Sequence, residues 1–246
     1  MIAKGATEIS KVCLGENELS KVCLGSTELW SAASPLPYDA RVEYLDSNLT
    51  PLNRNHIDTG IIPNNNHTIR FVTSVMFDDI NRRSVISNYS VSPCIAIEIQ
   101  VSSKQSRLRT YSSQDGASKY TQTVGTVSLP SNVWIDIDAT INFETKKWYV
   151  TYEFNGNEYT LNGNVYNTTY GCIETLLLFL DHRDSIDNIA HPLKMKYMQI
   201  IVDDVLRRDY IPVRISTTGY MYDNVTEQLY GNQGTGYFLF GNDITP

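Results

Sequence analysis

The sequence predicts an all-β chain built as an antiparallel two-sheet sandwich, and three observations carry that prediction. The first is the stretch from Val133 to Leu161. Ile135, Ile137, Ala139, Ile141 and Phe143 alternate with Asp136, Asp138, Thr140 and Asn142, the period of two that sets one face of a strand in a core. Trp148, Val150, Tyr152 and Phe154 continue the alternation against Tyr149, Thr151 and Glu153. Asn155-Gly156 then supplies two residues that tolerate positive φ, the signature of a two-residue hairpin. Glu158–Leu161 returns, and Asn162-Gly163 reads as a second turn. The second observation is that no window of a dozen residues carries an apolar stripe at helical spacing. The third is the recurrence of short alternating runs between turn residues, enough for roughly ten to fourteen strands. A meander with one apolar face needs a second layer over it.

The remaining elements follow in chain order. Strand signals lie at Arg41–Leu45, Ile57–Ile62, Thr68–Phe77, Ser84–Tyr89, Cys94–Val101 and Leu108–Tyr111. The stretch Gln105–Gln122, rich in Ser and Gln around Asp115-Gly116, is expected to hold exposed turns or a mobile loop. Cys172–Asp181 is nearly continuous in apolar residues and belongs in the sheet opposite the meander. Leu193–Val202 and Val205–Val213 are joined by a turn at Asp203-Asp204. Tyr220–Tyr222 and Leu229-Tyr230 are short, and Gly231–Gly236 is a glycine-rich turn before Tyr237–Phe240.

The first thirty residues contain a repeat. Ile9–Gly15 (Ile-Ser-Lys-Val-Cys-Leu-Gly) recurs as Leu19–Gly25, a period of ten, and Gly5–Glu8 is the tail of an earlier copy. Each unit offers about six extended residues and a four-residue turn opened by glycine. The segment holds about ten apolar side chains, each worth roughly 1.5–3 kcal/mol when fully buried. Ordering its backbone costs roughly 1–2 kcal/mol per residue, so thirty residues do not close a core over themselves. The repeat therefore docks on something: as a hairpin on its own domain, or as an attachment or oligomerisation arm. Ser31–Pro37, small and proline-bearing, reads as a linker. The organisation expected is an arm over residues 1–30, a linker over 31–37 and a sandwich over 38–246.

Composition narrows the functional classes. At 246 residues the chain can bury a full core without metal or disulfide. A net charge of −7 and a pI of about 5.1 argue against nucleic acid and anionic membrane as partners. Cys13 and Cys23 occupy equivalent places in the repeat, and with Cys94 and Cys172 they form no Cys-x-x-Cys pair. Met1–Gly5 lacks the apolar core of a signal peptide, and Leu176–Leu180 is too short to span a bilayer. The expectation is a chain made in a cytoplasm, not exported by a signal of its own and not inserted in a membrane. Sixteen tyrosines against seven phenylalanines suit wet, half-buried sheet faces.

Two regions resemble known proteins. The decamer at Ile9–Gly15 with its copy at Leu19–Gly25 is similar to a short tandem repeat at the start of virion proteins of tailed bacteriophages, which commonly carry tyrosine where this chain has Cys13 and Cys23. The remainder resembles concanavalin A-like (laminin G-type) domains encoded by the same phages. The matching pieces are Val42–Leu45, His56–Pro63, Arg208–Arg214 and Gly219–Asp223 through Gly231–Phe238. The resemblance implies a jelly-roll sandwich on a phage particle, in a head fibre, decoration, tail or baseplate role. It also implies other virion proteins as partners through residues 1–30, a homo-oligomer, and host-surface glycan as ligand. The alternatives are a stand-alone carbohydrate-binding module and, after it, a glycoside hydrolase.

No residue is assigned as catalytic, cofactor-binding or metal-ligating. Glucanases of this fold place Glu-x-Asp-x-x-Glu on one strand, the carboxylates about 5–5.5 Å apart that retaining hydrolysis requires. Asp136-x-Asp138, followed by Thr140 and Asn142, lacks the outer acid and reads as a solvated polar face, so the expectation is a protein that is not an enzyme. No cofactor is expected. Structural calcium, which laminin G-type domains sometimes bind, would draw on Asp136, Asp138, Asp78-Asp79, Asp181, Asp184 or Asp203-Asp204, none at EF-hand spacing. His56, His67, His182 and His191 are dispersed, without zinc spacing. Gly231-x-x-Gly234-x-Gly236 has no following lysine and reads as a tight turn. Lys146-Lys147 and Arg207-Arg208 read as solvated pairs. Glycan binding would use exposed aromatics beside amides, with Tyr111, Tyr120, Asn88-Tyr89, Tyr166-Asn167 and Tyr170 as contributors, each singly explicable as sheet packing.

Overall fold

A computed structural model of the chain describes residues 13–14, 17–18, 21–24, 27–31, 36–48, 54–64, 67–78, 83–88, 94–102, 104–113, 119–166, 174–180 and 192–244. The chain divides into two compact units, Met1–Pro37 and Tyr38–Pro246. Among the described residues every regular element is a strand, and every strand pairing is antiparallel. Among the described residues no helix is long and apolar enough to cross a membrane.

In the first unit, β1 (Cys13–Leu14) pairs with β2 (Asn17–Glu18), and β3 (Lys21–Leu24) pairs with β4 (Thr27–Ser31). Leu14 stands opposite Asn17 and Leu24 opposite Thr27. Strand pairing thus reaches into both predicted four-residue turns, of which residues 15–16 and 25–26 lie outside the described residues.

The second unit begins with the short strands β5 (Ala40–Arg41), β6 (Leu45–Asp46) and β7 (Ile57–Asp58). There follow β8 (Thr68–Met76), β9 (Arg83–Ser87), β10 (Cys94–Ser102), β11 (Gln105–Ser113) and β12 (Tyr120–Val124). The meander is β13 (Ile135–Asn142), β14 (Lys147–Phe154) and β15 (Asn157–Asn164). After β16 (Leu177–Leu178) come β17 (Lys194–Val202), β18 (Val205–Ile215), β19 (Thr218–Asp223), β20 (Gln228–Tyr230) and β21 (Leu239–Phe240).

These strands form two sheets. The larger runs β15-β14-β13-β8-β17-β18-β19-β20, with β5 on β18 and β6 between β17 and β21. The smaller runs β12-β11-β10-β9-β16-β7. The chain leaves the larger sheet after β8, builds β9 to β12 in the smaller one, and returns to lay β13 beside β8. One apolar cluster fills the space between, with Phe71, Ile137, Trp148 and Met198 from one sheet and Ile86, Ile97, Leu108 and Leu178 from the other. The unit is a two-sheet β-sandwich, as its sequence predicts. Within the meander the burial of β13 and β14 alternates residue by residue along the predicted faces.

Several expectations are corrected. Gln105–Ser113 is a nine-residue strand, longer at both ends than the predicted Leu108–Tyr111; its small hydroxyl side chains Ser106, Thr110, Ser112 and Ser113 are buried in the sheet, while the turn expected at Asp115-Gly116 lies outside the described residues. Asn162-Gly163 is no turn, since both residues lie in β15 opposite Tyr149 and Trp148. Gly163 is there for space: a Cβ at that position would stand 2.7 Å from Thr123 Oγ1 and 3.1 Å from Thr110 Oγ1, where the edges of the two sheets approach. By contrast Asn155-Gly156 and Asp203-Asp204 are hairpin turns with positive φ at both residues (52° and 73°; 50° and 61°). The described strand within Cys172–Asp181 is only Leu177–Leu178, in the smaller sheet and so opposite the meander.

The pieces that carry the family resemblance converge on two polar knots. In one, Asn55 donates to Ser47 O and Tyr237 O at 2.9 and 2.7 Å, while its Oδ1 accepts from Asn232 Nδ2 and from the Gly236 amide. Asn232 Oδ1 accepts from the amides of His56 and Gly234. The glycine-rich stretch is thus a loop closed on a buried amide. In the other knot Asp223, fully buried, accepts from the Asp209 and Val225 amides and from Thr226 Oγ1. Arg208 Nε donates to Thr59 O at 3.0 Å and lies 3.7 Å from Asp223 Oδ2. Arg208 is therefore a structural clamp and not a solvated cation. These motifs specify the scaffold.

Candidate functional site

The outward face of the meander presents a polar surface of ordered composition. Strand alternation sends Asp136, Asp138 and Thr140 of β13 outward, with Tyr149, Thr151 and Glu153 of β14 beside them. The register sets three rows across β13, β14 and β15: Asp136–Glu153–Glu158, Asp138–Thr151–Thr160 and Thr140–Tyr149–Asn162. Directly opposed residues in a sheet have Cβ atoms about 4.5–5.5 Å apart. The first row therefore lines up three carboxylates as immediate neighbours.

Two adjoining grooves cut this face and share Asp138 and Thr151. One, of about 150 Å³, is lined by Asp136, Glu153, Glu158 and Tyr197; the other, of about 450 Å³, by Arg70, Tyr149, Thr160 and Asn162. Arg70 of β8 reaches diagonally to Asp138 in a two-point fork, Nε to Oδ1 at 2.8 Å and Nη2 to Oδ2 at 2.5 Å. Tyr149 is 51% exposed. Tyr197 is half-buried, and burial, with Asp136 and Asp138 nearby, raises its hydroxyl above the ordinary phenol value. It stays a proton donor. Along the same sheet Lys196 Nζ sits 4.2 Å from the centroid of the Trp134 ring, which also packs on Tyr44 at 5.9 Å. The arrangement offers an aromatic platform, a guanidinium, an amide, hydroxyls and carboxylates on rigid strands. Such a set hydrogen-bonds and stacks polyhydroxylated ligands.

The residues weighed from sequence are distributed differently. Tyr111 is 4% exposed and stacks on Tyr120 at 5.4 Å on the smaller sheet, beside the buried Arg109–Glu98 ion pair, so it is packing; Tyr120 is 44% exposed. Asn88 is buried and accepts from the Ile95 amide. The Tyr166 amide donates to Ser112 Oγ. Tyr89, Asn167 and Tyr170 lie outside the described residues, as do Asp79, Asp181, Asp184, His182 and His191. Asp203 accepts from His67 Nδ1 and the Thr68 amide, and His56 Nδ1 lies 2.9 Å from Arg54 O. Lys147 Nζ donates to Asn164 Oδ1. Among the described residues no three His, Cys, Asp or Glu side chains group as a metal site. No local sequence pattern marks Arg70, Tyr149, Glu153, Glu158 and Tyr197 as a site. The period-two alternation already placed Tyr149 and Glu153 with the aspartates, but only the strand register brings Arg70, Glu158 and Tyr197 to them.

No protein-family model and no curated protein matches this chain. Similar solved structures include the enzymatically active domain of tailspike protein 2 of bacteriophage CBA120, at 10% identity and a TM-score of 0.48 over 70% of this chain and 30% of that one. The heptameric SAP-like pentraxin of Limulus polyphemus is similar at 11% identity, TM-score 0.38, over 71% of this chain and 74% of that chain. An engineered GH43 glycoside hydrolase with endo-xylanase and exo-arabinofuranosidase activity is similar at 14% identity, TM-score 0.33, over 54% and 29%. The chain thus spans under a third of the tailspike domain and of the hydrolase. The expectation that the protein is not an enzyme is corrected here. Two of these structures, the enzymatically active tailspike domain and the glycoside hydrolase, are enzymes.

Proposed function

We propose that the chain is a structural component of a tailed-bacteriophage particle, in a head fibre, decoration or tail/baseplate role, whose sandwich adheres to host-surface glycan through the outward face of the meander. The observation that carries the binding role is the exposed Tyr149 ring on a rigid sheet, flanked by the Arg70–Asp138 fork and by Asn162. The particle role is supported by the decapeptide repeat. In this reading residues 1–30 mount the chain on other virion proteins and on sister copies.

Glycan-array binding of the full chain against Tyr149→Ala tests the site. Retention of particular glycans, lost in the variant, is the expected result; unchanged retention excludes this face. Reducing-sugar release from the retained glycans reports whether binding leads to hydrolysis. Sedimentation of the full chain against a variant lacking residues 1–30 tests the mount, since the apolar core of the described residues belongs to Tyr38–Pro246. A monomer in both forms favours the second reading, a stand-alone carbohydrate-binding module, which would use the same groove.

A further inference from the structure

Resting on the glycan-binding reading above, we infer that the face takes an extended, uncharged run of linked sugars laid diagonally across the sheet, and not a single terminal sugar. The first ground is continuity. The groove holding Tyr149 and the groove holding Tyr197 adjoin through Asp138 and Thr151. The second is span. Tyr149 lies on β14 and Tyr197 on β17, with β13 and β8 between them. The register carries Tyr149 through Thr140 to Arg70, and Tyr197 to Ser74, four residues further along β8. With strands about 4.8 Å apart and about 3.3 Å of rise per residue, the two tyrosines stand on the order of 20 Å from each other. One pyranose ring covers one platform; only a chain of rings meets both.

The platform series ends at Tyr197, because the next outward aromatic, Trp134, already carries Lys196 over its face. The third ground is charge. Asp136, Asp138, Glu153 and Glu158 line the two grooves against the single guanidinium of Arg70, which is held by Asp138. Carboxylates accept from sugar hydroxyls and repel a polyanion, so the surface selects against uronic-acid and sialylated chains.

The test titrates full-length protein with neutral xylo-, cello-, malto- and manno-oligosaccharides of one to six units, and with oligogalacturonates as the anionic series. Affinity in a bound neutral series rises about tenfold or more between one and four units, oligogalacturonates stay unbound, and Tyr149→Ala or Tyr197→Ala flattens the rise with length. Length-independent affinity in a bound series overturns the extended-chain inference while leaving glycan binding in place. Tight oligogalacturonate binding overturns the charge argument. Binding of none of the series, with no glycan retained on an array, sinks the glycan reading and this inference with it. The wild-type length series stands on its own if a tyrosine variant fails to fold.

Discussion

Arg70 and Asp138 meet through two parallel hydrogen bonds, at 2.8 and 2.5 Å, although neither is the other's direct partner across β8 and β13. Arg70 stands opposite Thr140 and Asp138 opposite Val72, so the guanidinium reaches one pleat along the sheet to grip the carboxylate. Both side chains keep water contact, with 48% and 35% of the side-chain surface exposed. An exposed pair of this kind contributes about 0–1 kcal/mol to stability. Arg70→Ala is therefore expected to leave chemical unfolding within about 1 kcal/mol of wild type while weakening glycan binding about tenfold or more. Urea denaturation and calorimetric titration read the two effects separately; a large loss of stability with binding intact would make the fork structural.

The Asn55–Asn232 contact at 2.8 Å makes the opposite prediction. Asn55→Ala removes donors to Ser47 O and Tyr237 O and takes the acceptor from the Gly236 amide, at a position where the Asn55 side chain itself is fully buried. An unsatisfied buried partner costs about 1–3 kcal/mol. Urea unfolding of the variant should show at least that loss, with glycan binding by the folded fraction unchanged.

Gly163 tests the meeting of the two sheet edges. Gly163→Ala places a Cβ 2.7 Å from Thr123 Oγ1, and overpacking of this kind costs about 1–3 kcal/mol. Thr123→Ala removes the obstructing hydroxyl and should restore part of that loss in the double variant. A double-mutant cycle with no coupling would show that the edge relaxes by another route.

Acid sensitivity follows from two depressed carboxyls. The Thr68 amide, and after it His67, holds Asp203 below its ordinary 3.8, and Arg214 does the same for Asp243. A carboxyl whose folded value is lowered stabilises the fold fully above its unfolded value and loses that contribution as pH falls through the folded one. Stability should therefore decline below about pH 4 as these groups protonate. Asp203→Asn and Asp243→Asn, followed by thermal unfolding between neutral and acid pH, should each shallow the decline.

Period-two alternation in Val133–Leu161 was sufficient to specify strands, their buried faces and the Asn155-Gly156 hairpin, because each depends on neighbours two residues apart or fewer. Elsewhere local patterns misled. Only Leu108–Tyr111 of Gln105–Ser113 reads as a strand, since the flanking hydroxyl side chains carry no apolar signal, yet pairing with β10 on one side and β12 on the other makes the whole stretch an interior strand. Asn162-Gly163 has turn chemistry, but the glycine answers a packing demand from Thr123 and Thr110, about forty to fifty residues away in sequence. The candidate site shows the same division. Alternation alone put Asp136, Asp138, Tyr149 and Glu153 on one outward face. Only the return of the chain to lay β13 against β8, and β17 beyond it, brought Arg70 and Tyr197 to that face, because register between strands distant in sequence is decided by how two whole sheets bury one common core.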